Sequence, residues 1–97
     1  QPAFEKFLTA KGISPALIKK IRDNTATINE EIKSDTLALG IGYELGHSFF
    51  TPSEAQDAST ELQWYADIIE YEIAPLLREY FVDQPEKAIR LIQQFNL

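Results

Sequence analysis

The apolar residues of this chain recur at the spacing of an α-helix over most of its length. The first such segment, residues 2–11, is followed by Gly12, a residue type that commonly ends helices. Ser14 and Pro15 then have the composition of a helix start, because serine can cap free amides and proline lacks one. The second helix is predicted to run for about five turns, and a kink or break near Asn24 is one alternative, because neighbouring threonines lower helix propensity. Its apolar stripe consists of Leu17, Ile18, Ile21, Ile28 and Ile32.

A longer helical pattern extends from about Ser59 to Phe81. Its apolar residues step alternately by three and four positions, and others widen the stripe, so most of its circumference is expected to be buried. Pro75 removes one backbone amide and should bend or split this helix between Tyr71 and Ala74. The stripe consists of Leu62, Ala66, Ile69, Ile73, Leu76 and Tyr80, widened by Tyr65, Ile68 and Leu77.

The last helical pattern follows Phe81. Asp83 is predicted to cap it, with Pro85 in its first turn, and its inward-facing residues are expected to be Ala88, Ile89, Ile92 and Phe95. The sequence therefore predicts an all-α fold, a small bundle of four to five helices without a sheet. Residues 1–97 are expected to form a single helical domain, because the chain is too short for a second core.

A glycine-rich stretch, residues 40–50 (GIGYELGHSFF), separates the second and third helices. It contains three of the four glycines and the only histidine. Glycines and aromatic residues between two helices indicate either a packed crossover or a place where the backbone approaches a ligand. Short extended segments that press against the helices are expected at Tyr43, Leu45, Phe49 and Phe50.

The charge balance argues against a nucleic-acid binder. The chain has 15 acidic and 9 basic residues and a formal charge of -6, which repels phosphate. Lys19, Lys20 and Arg22 are interpreted as the solvated side of the second helix. Cysteine is absent, so disulfides and thiolate metal sites are excluded, and no apolar run approaches the roughly 18 residues of a membrane span. We expect a cytoplasmic protein without membrane or direct nucleic-acid contacts.

No self-contained catalytic site is predicted. The chain has no phosphate-binding GxxxxGK[ST] loop and no HExxH, and one histidine cannot build a histidine-rich metal site. The carboxylate pairs Glu30 with Glu31 and Glu70 with Glu72 are expected to face solvent. Because the chain begins at Gln1 and contains no methionine, we expect it to be part of a longer protein that carries the chemistry.

His47 has two interpretations. It is either a partly buried imidazole that hydrogen-bonds a neighbouring helix end, or one of the polar groups that approach a nucleotide held by another domain. In the second case Gly46 would let the backbone come close. Gly46, His47 and Ser48 are therefore the candidate nucleotide contacts, and no residue is predicted to be catalytic or to bind metal.

Two separated motifs resemble a known family. The first motif is an aliphatic residue followed by Gly-His-Ser and an aromatic pair. The second is Ile-x-Pro-Leu-Leu followed by Glu-Tyr-Phe and Asp. In addition, residues 28–32 (INEEI) resemble a Leu-Asn-x-x-Ile helix that lies upstream of these motifs in the family. Over about residues 14–90 the chain resembles the C-terminal helical lid of the AAA+ NTPase in McrB-type modification-dependent restriction systems. The matching residues are Leu45, Gly46, His47, Ser48, Phe49, Phe50, Ile73, Pro75, Leu76, Leu77, Glu79, Tyr80, Phe81 and Asp83.

This resemblance implies a lid that closes over nucleotide held by an upstream AAA+ core. GTP or ATP with Mg²⁺ would be bound only in the full-length protein, which would hydrolyse it as a GTPase or ATPase. The full-length protein would form a homo-oligomeric ring, expected to be a hexamer. This ring would drive a McrC-like nuclease. The chain departs from the pattern at Phe49, where tyrosine is common. It also has no arginine at the start of the long helix, and Arg78, further along, is expected to form a salt bridge or a contact between subunits.

Two alternatives to the lid remain open. One is a free-standing helical module for protein–protein interaction, with Phe49, Phe50 and Trp64 as its binding surface and no nucleotide role. The other is a helix-turn-helix DNA binder that uses residues 14–23, which the net charge disfavours.

Overall fold

Helices account for most of the residues that the computed structural model describes, which are residues 2–34 and 43–96. In chain order the α-helices are α1 (Pro2–Ala10), α2 (Pro15–Ser34), α3 (Glu61–Ile68), α4 (Ala74–Tyr80) and α5 (Pro85–Gln93). A π-helical segment, Ile69–Ile73, joins α3 to α4, so the three pieces form one continuous rod. These described residues contain no strand, and the prediction of an all-α fold is confirmed.

Gly12 follows the end of α1 at a position where both the backbone angle and the packing require glycine. Its φ angle is +91°, in the left-handed region that favours glycine. A Cβ atom at this position would lie 1.9 Å from the carbonyl oxygen of Gln56, whose own N–H donates to the Lys11 carbonyl at 2.7 Å. Both the backbone conformation and the packing of the later loop against this turn therefore require glycine.

The N-terminus of α2 is capped by Ser14, which is itself bonded to Glu61 at the start of the rod. The Ser14 hydroxyl accepts a hydrogen bond from the Leu17 N–H at 3.4 Å, as predicted for a cap. The Ser14 N–H and hydroxyl in turn donate to the two carboxylate oxygens of Glu61, each at 2.8 Å. α2 then continues through Asn24 for 20 residues, so the alternative with a break near Asn24 is wrong.

An irregularity lies in the rod just before Pro75, as predicted. A wider π turn precedes the proline, and it accommodates the missing amide without ending the helix. The predicted buried face is correct in part, because these residues of it are buried: Tyr65, Ile68, Ile69, Ile73 and Leu77. Leu62 is 51% exposed, which contradicts its predicted inward position. Ala66 is also exposed, and Leu76 and Tyr80 are only half-buried. The face that is buried consists of Glu61, Tyr65, Ile68, Ile69, Ile73, Ala74 and Leu77, followed by Phe81 just beyond the rod.

The final helix α5 begins one residue later than predicted. Gln84, not Asp83, occupies the cap position, and its side chain makes no capping hydrogen bond. Pro85 is therefore the first helical residue, within the first turn as predicted. Ile89 was predicted to face inward but is 55% exposed, whereas Leu91 is fully buried. The predicted inward positions of Ala88 and Phe95 are confirmed, and Ile92 is partly buried.

The buried side chains of α1, α2, the rod and α5 form one hydrophobic cluster. α1 packs against α2, and α4 packs against α5. Lys87 and Arg90 on α5 each lie 3.6 Å from a carboxylate oxygen of Glu31, which ties α5 to α2. Among the described helices, none combines the length and the apolar composition that spanning a membrane requires.

Candidate functional site

The three candidate contacts lie in a short exposed segment that is anchored at both ends. Leu45 before it and Phe50 after it are 4% and 1% exposed, and both belong to the hydrophobic cluster. Gly46, His47 and Ser48 between them are all exposed. The core therefore fixes the segment in place while its middle faces solvent.

The backbone of this segment forms a single 3₁₀ turn, His47–Phe50, which packs against α3. The prediction of extended structure at Phe49 and Phe50 is thus wrong. Thr51, which follows the turn, is extended at φ −113° and ψ 97°, as its position before Pro52 requires. Gly40 to Gly42, the first part of the predicted glycine-rich crossover, lie outside the described residues.

Asn29 on α2 holds the entrance to the turn. Its side-chain amide donates to the Leu45 carbonyl at 3.0 Å, and its side-chain oxygen accepts from the Leu45 N–H at 2.6 Å. Both backbone groups of Leu45 are therefore paired with one half-buried side chain, in the way that a neighbouring β-strand would pair them. Ile28 and Ile32, on either side of Asn29 in the INEEI segment, are completely buried and fix this part of α2.

The imidazole of His47 stacks on the ring of Phe4 from α1. The ring centroids are 4.2 Å apart and the planes differ by 9°. His47 is exposed and makes no hydrogen bond to the described residues, so the interpretation of a partly buried histidine that bonds a helix end is wrong. The stack leaves both imidazole nitrogens available to a group from outside.

Gly46 differs from Gly12 in having no internal reason to be glycine. Its φ is −93° and its ψ 171°, an extended conformation that any residue adopts. A Cβ atom there would meet nothing closer than the Ser48 hydroxyl oxygen at 4.0 Å. Neither backbone strain nor packing within the described residues excludes a side chain.

A partly open cavity of about 230 Å³ lies beside the His47–Phe4 stack. It lies between α1, α2 and the 3₁₀ turn, and the apolar residues that line it include Ile18, Ile21 and Phe50. Thr25 also lines it, and its buried hydroxyl has no hydrogen-bond partner among the described residues. The exposed wall of the cavity is therefore mainly apolar, and Thr25 and His47 place polar groups on it that bond to no described residue.

Two of the four basic residues of α2 form ion pairs with acidic neighbours. Lys19 contacts the Asp23 carboxylate at 2.6 Å, and Arg22 lies 3.3 Å from both Asp23 and Glu5. The hydrogen bond from Lys19, supported by Arg22, lowers the pKa of Asp23 below its usual value. The interpretation of these cations as a solvated face agrees with these contacts, and the helix-turn-helix hypothesis gains no support from them.

The other predicted candidates are not brought together into a site. Glu31 is bound to Lys87 and Arg90, and the described residues contain no cluster of three potential metal ligands. Arg78 is exposed and forms no salt bridge to a described residue, so the salt bridge expected of it is not formed there. Phe50 is buried, which removes it from the proposed surface with Phe49 and Trp64.

Comparison with known proteins decides the family. The model of the McrB alpha-helical lid domain matches residues 20–89. This chain belongs to the McrB lid family. It is 36% identical over 86 residues to the Type IV methyl-directed restriction enzyme EcoKMcrB subunit of Escherichia coli (strain K12). That alignment covers 89% of this chain but 19% of the E. coli protein, so the chain spans about a fifth of the length of its relative. No solved structure gives a significant match.

The family motifs divide into a buried and an exposed part. Most of the buried members are residues of the hydrophobic cluster, and their role is to hold the lid together. Gly46, His47 and Ser48 carry no such role in the described structure. The buried motif residues are Ile28, Ile32, Leu45, Phe50, Ile73, Leu77 and Phe81.

Sequence reasoning missed two contributors to the site. Phe4 was assigned only to an apolar helix face, and the spacing within α1 gives no sign that its ring would meet His47, 43 positions later. Thr25 was noted only for low helix propensity. Asn29 entered through the INEEI motif, but its two bonds to Leu45 depend on tertiary packing and could not be read from the sequence.

Proposed function

We propose that this lid closes over a nucleotide held by an upstream AAA+ core and contacts it through Gly46, His47 and Ser48. The nucleotide is GTP or ATP, bound with Mg²⁺ in the full-length protein. The lid itself supplies neither the phosphate-binding loop nor the metal ligands. Its role is to approach the base or ribose edge when the site closes, which excludes water and positions the nucleotide.

One observation carries this proposal: the 3₁₀ turn is held in place at both ends, yet its exposed side contributes nothing to the core formed by the described residues. The Asn29 clamp and the burial of Leu45 and Phe50 fix its position. Among the described residues, Gly46 nevertheless has open space around it, and no hydrogen bond engages the imidazole nitrogens of His47. A fixed, exposed segment with a small residue at its start suits the close approach of a ligand from another domain.

The wider function that we propose is supported by the relative's description as a subunit of a methyl-directed restriction enzyme. We infer that the full-length protein is a nucleoside-triphosphatase that powers DNA restriction from the cytoplasm. It would assemble as a homo-oligomeric ring and act with a McrC-like nuclease partner. The lid contributes to nucleotide closure and to contacts between subunits, not to DNA recognition.

The experiment is to enlarge Gly46 in the full-length protein. Gly46→Val should weaken nucleotide affinity by about 10- to 100-fold, because a displacement near a closing site is costly. The same substitution in the 97-residue chain should leave the melting temperature nearly unchanged, since the added atoms meet open space. Ala58→Val, at an exposed turn before the rod, is the matched control for added bulk. Equal affinity in Gly46→Val and the parent protein would refute the contact.

A further inference from the structure

A second surface lies beside the 3₁₀ turn, where partly buried side chains that pack on the hydrophobic cluster also reach solvent. Phe49, Trp64 and Tyr71 line a shallow groove of about 400 Å³ between the turn and the rod. Tyr71 is 71% exposed, and Trp64 is only partly buried. Ile68, 6% exposed, also lines the groove. The groove thus presents aromatic rings to solvent on a rigid helical support.

The rim of this groove is negatively charged. Asp67 and Glu72 line it, and both are exposed. One oxygen of Asp67 accepts a hydrogen bond from Gln63 at 2.7 Å, but neither carboxylate pairs with a cation among the described residues. The pKa of Tyr71 is raised, first by the charge of Glu70 and a hydrogen bond to it and then, to a smaller extent, by Asp67. The exposed ring therefore lies in a field that attracts cations.

The region of the chain around the groove is predominantly acidic. Residues 43–83 contain nine acidic residues and one basic residue, Arg78. Arg78 lines a different pocket, between the rod and the C-terminal residues. Elsewhere Lys19 and Arg22 already pair with Asp23, and Lys87 and Arg90 with Glu31. Of the three arginines of the chain, Arg22 and Arg90 are thus paired with acidic residues, so a second copy could offer only Arg78 without breaking an ion pair.

We propose that the groove receives an arginine-bearing segment of a different protein chain. A guanidinium is planar, so it can stack on the faces of Tyr71 and Trp64 while its N–H groups reach Asp67 and Glu72. Aromatic residues and arginine are also the residue types that most often dominate binding energy at protein interfaces. The groove shares Ser48 with the candidate nucleotide contacts, but this inference needs no bound nucleotide and does not depend on the proposed function.

The test uses Trp64, the only tryptophan of the chain, as its reporter. The 97-residue chain, whose helices share one internal cluster, is titrated with a short capped peptide that contains arginine. A matched peptide has citrulline in place of each arginine, which keeps the shape and removes the charge. We expect the arginine peptide to change Trp64 fluorescence and to bind at least about tenfold more tightly than the citrulline peptide at low salt. Similar affinity for both peptides, or no binding, overturns the proposal.

Three variants locate the interaction. Tyr71→Ala should weaken binding of the arginine peptide severalfold, whereas Tyr71→Phe, which keeps the ring, should preserve it. Asp67→Asn should also weaken binding and reduce its dependence on salt. Leu62→Ala changes an exposed residue of the same rod that does not line the groove, and it should bind like the parent. Normal binding by Tyr71→Ala would exclude this groove as the site.

A longer chain that includes the upstream core tests whether the protein's own upstream segment, and not a different protein, occupies the groove. If the groove is open to another protein, the longer chain binds the arginine peptide as well as the 97 residues do. Loss of binding in the longer chain would mean that its own upstream segment fills the groove, and the proposal of a separate partner would be wrong.

Discussion

Asn29 and Leu45 are joined by two hydrogen bonds between one side chain and one backbone unit, at 3.0 and 2.6 Å. This pair links the middle of α2 to the turn that carries the candidate nucleotide contacts. The motif residue Asn29 is thereby explained as a positioning residue, since both polar ends of its side chain are bonded to the backbone of Leu45. The first prediction concerns this link.

Asn29→Ala should destabilise the chain by about 1 to 3 kcal/mol, because it leaves the buried N–H and carbonyl of Leu45 unpaired. Asn29→Asp keeps the acceptor and loses the donor, so it should retain only the bond from the Leu45 N–H. Chemical denaturation gives the stabilities, and hydrogen exchange at the Leu45 amide should accelerate in Asn29→Ala. An unchanged exchange rate would show that the clamp does not hold the turn.

The second prediction concerns Ser14 and Glu61, which lie 47 positions apart and share two hydrogen bonds of 2.8 Å. Glu61 is 8% exposed, and its carboxylate lies at the N-terminus of α2, where the helix dipole favours negative charge. Glu61→Ala should cost about 2 kcal/mol and Ser14→Ala about 1 kcal/mol. Denaturation of both single variants and the double variant should show a cost below the sum, because the residues share partners. Additive costs would mean that they act independently.

These two pairs show where sequence reasoning reaches its limit. Helix positions follow from local spacing and from caps such as Pro15 and Gly12, and α1, α2 and the rod were predicted on that basis. Which side of a helix is buried depends on distant partners. Glu61 is polar yet buried because it caps another helix. Hydrophobic periodicity alone cannot show this and assigns Leu62 to the buried face instead.

The π segment is a second reason why the buried face of the rod differs from the predicted one. Alternating steps of three and four residues, expected of an α-helix, led to Leu76 and Tyr80. With a wider turn at Ile69–Ile73, the buried positions instead recur every fourth residue through Leu77 to Phe81. Pro75 correctly indicated an irregularity near this point, but not the form it takes.

The third prediction concerns pH and Tyr65. Its hydroxyl donates to the Phe95 carbonyl at 2.7 Å, and burial raises the pKa of this phenol above its usual value. Because the folded state resists ionisation, the associated stability is complete below the unfolded pKa of about 10 and is lost as the pH rises above it. Tyr65→Phe should cost about 1 kcal/mol at neutral pH and should reduce the alkaline loss of stability.

Urea denaturation from pH 7 to 11 checks this prediction by comparing Tyr65→Phe with the parent. Tyr71 and Tyr80 also have raised pKa values, so some alkaline dependence should remain in the variant. Tyr71→Phe is the comparison, since that ring is exposed and outside the core, and it should retain the part of the alkaline loss that arises from Tyr65. Identical slopes above pH 10 in Tyr65→Phe and the parent would contradict the assignment.

The fourth prediction tests the nucleotide contact through His47. His47 is exposed, and within the described residues its side chain only stacks on Phe4. His47→Ala should therefore change the stability of the 97-residue chain by no more than about 1 kcal/mol. Phe4→Ala removes the stacking partner but keeps the imidazole, so it separates the loss of the stack from the loss of the polar group.

The most direct measurement is steady-state nucleotide hydrolysis by the full-length protein, wild type beside His47→Ala, together with thermal melts of the 97-residue chain. If the 3₁₀ turn contacts nucleotide, His47→Ala lowers nucleotide affinity or turnover by up to about 100-fold while the melting temperature of the chain stays nearly constant. A strongly destabilised chain combined with normal affinity and turnover in the full-length protein would contradict the account.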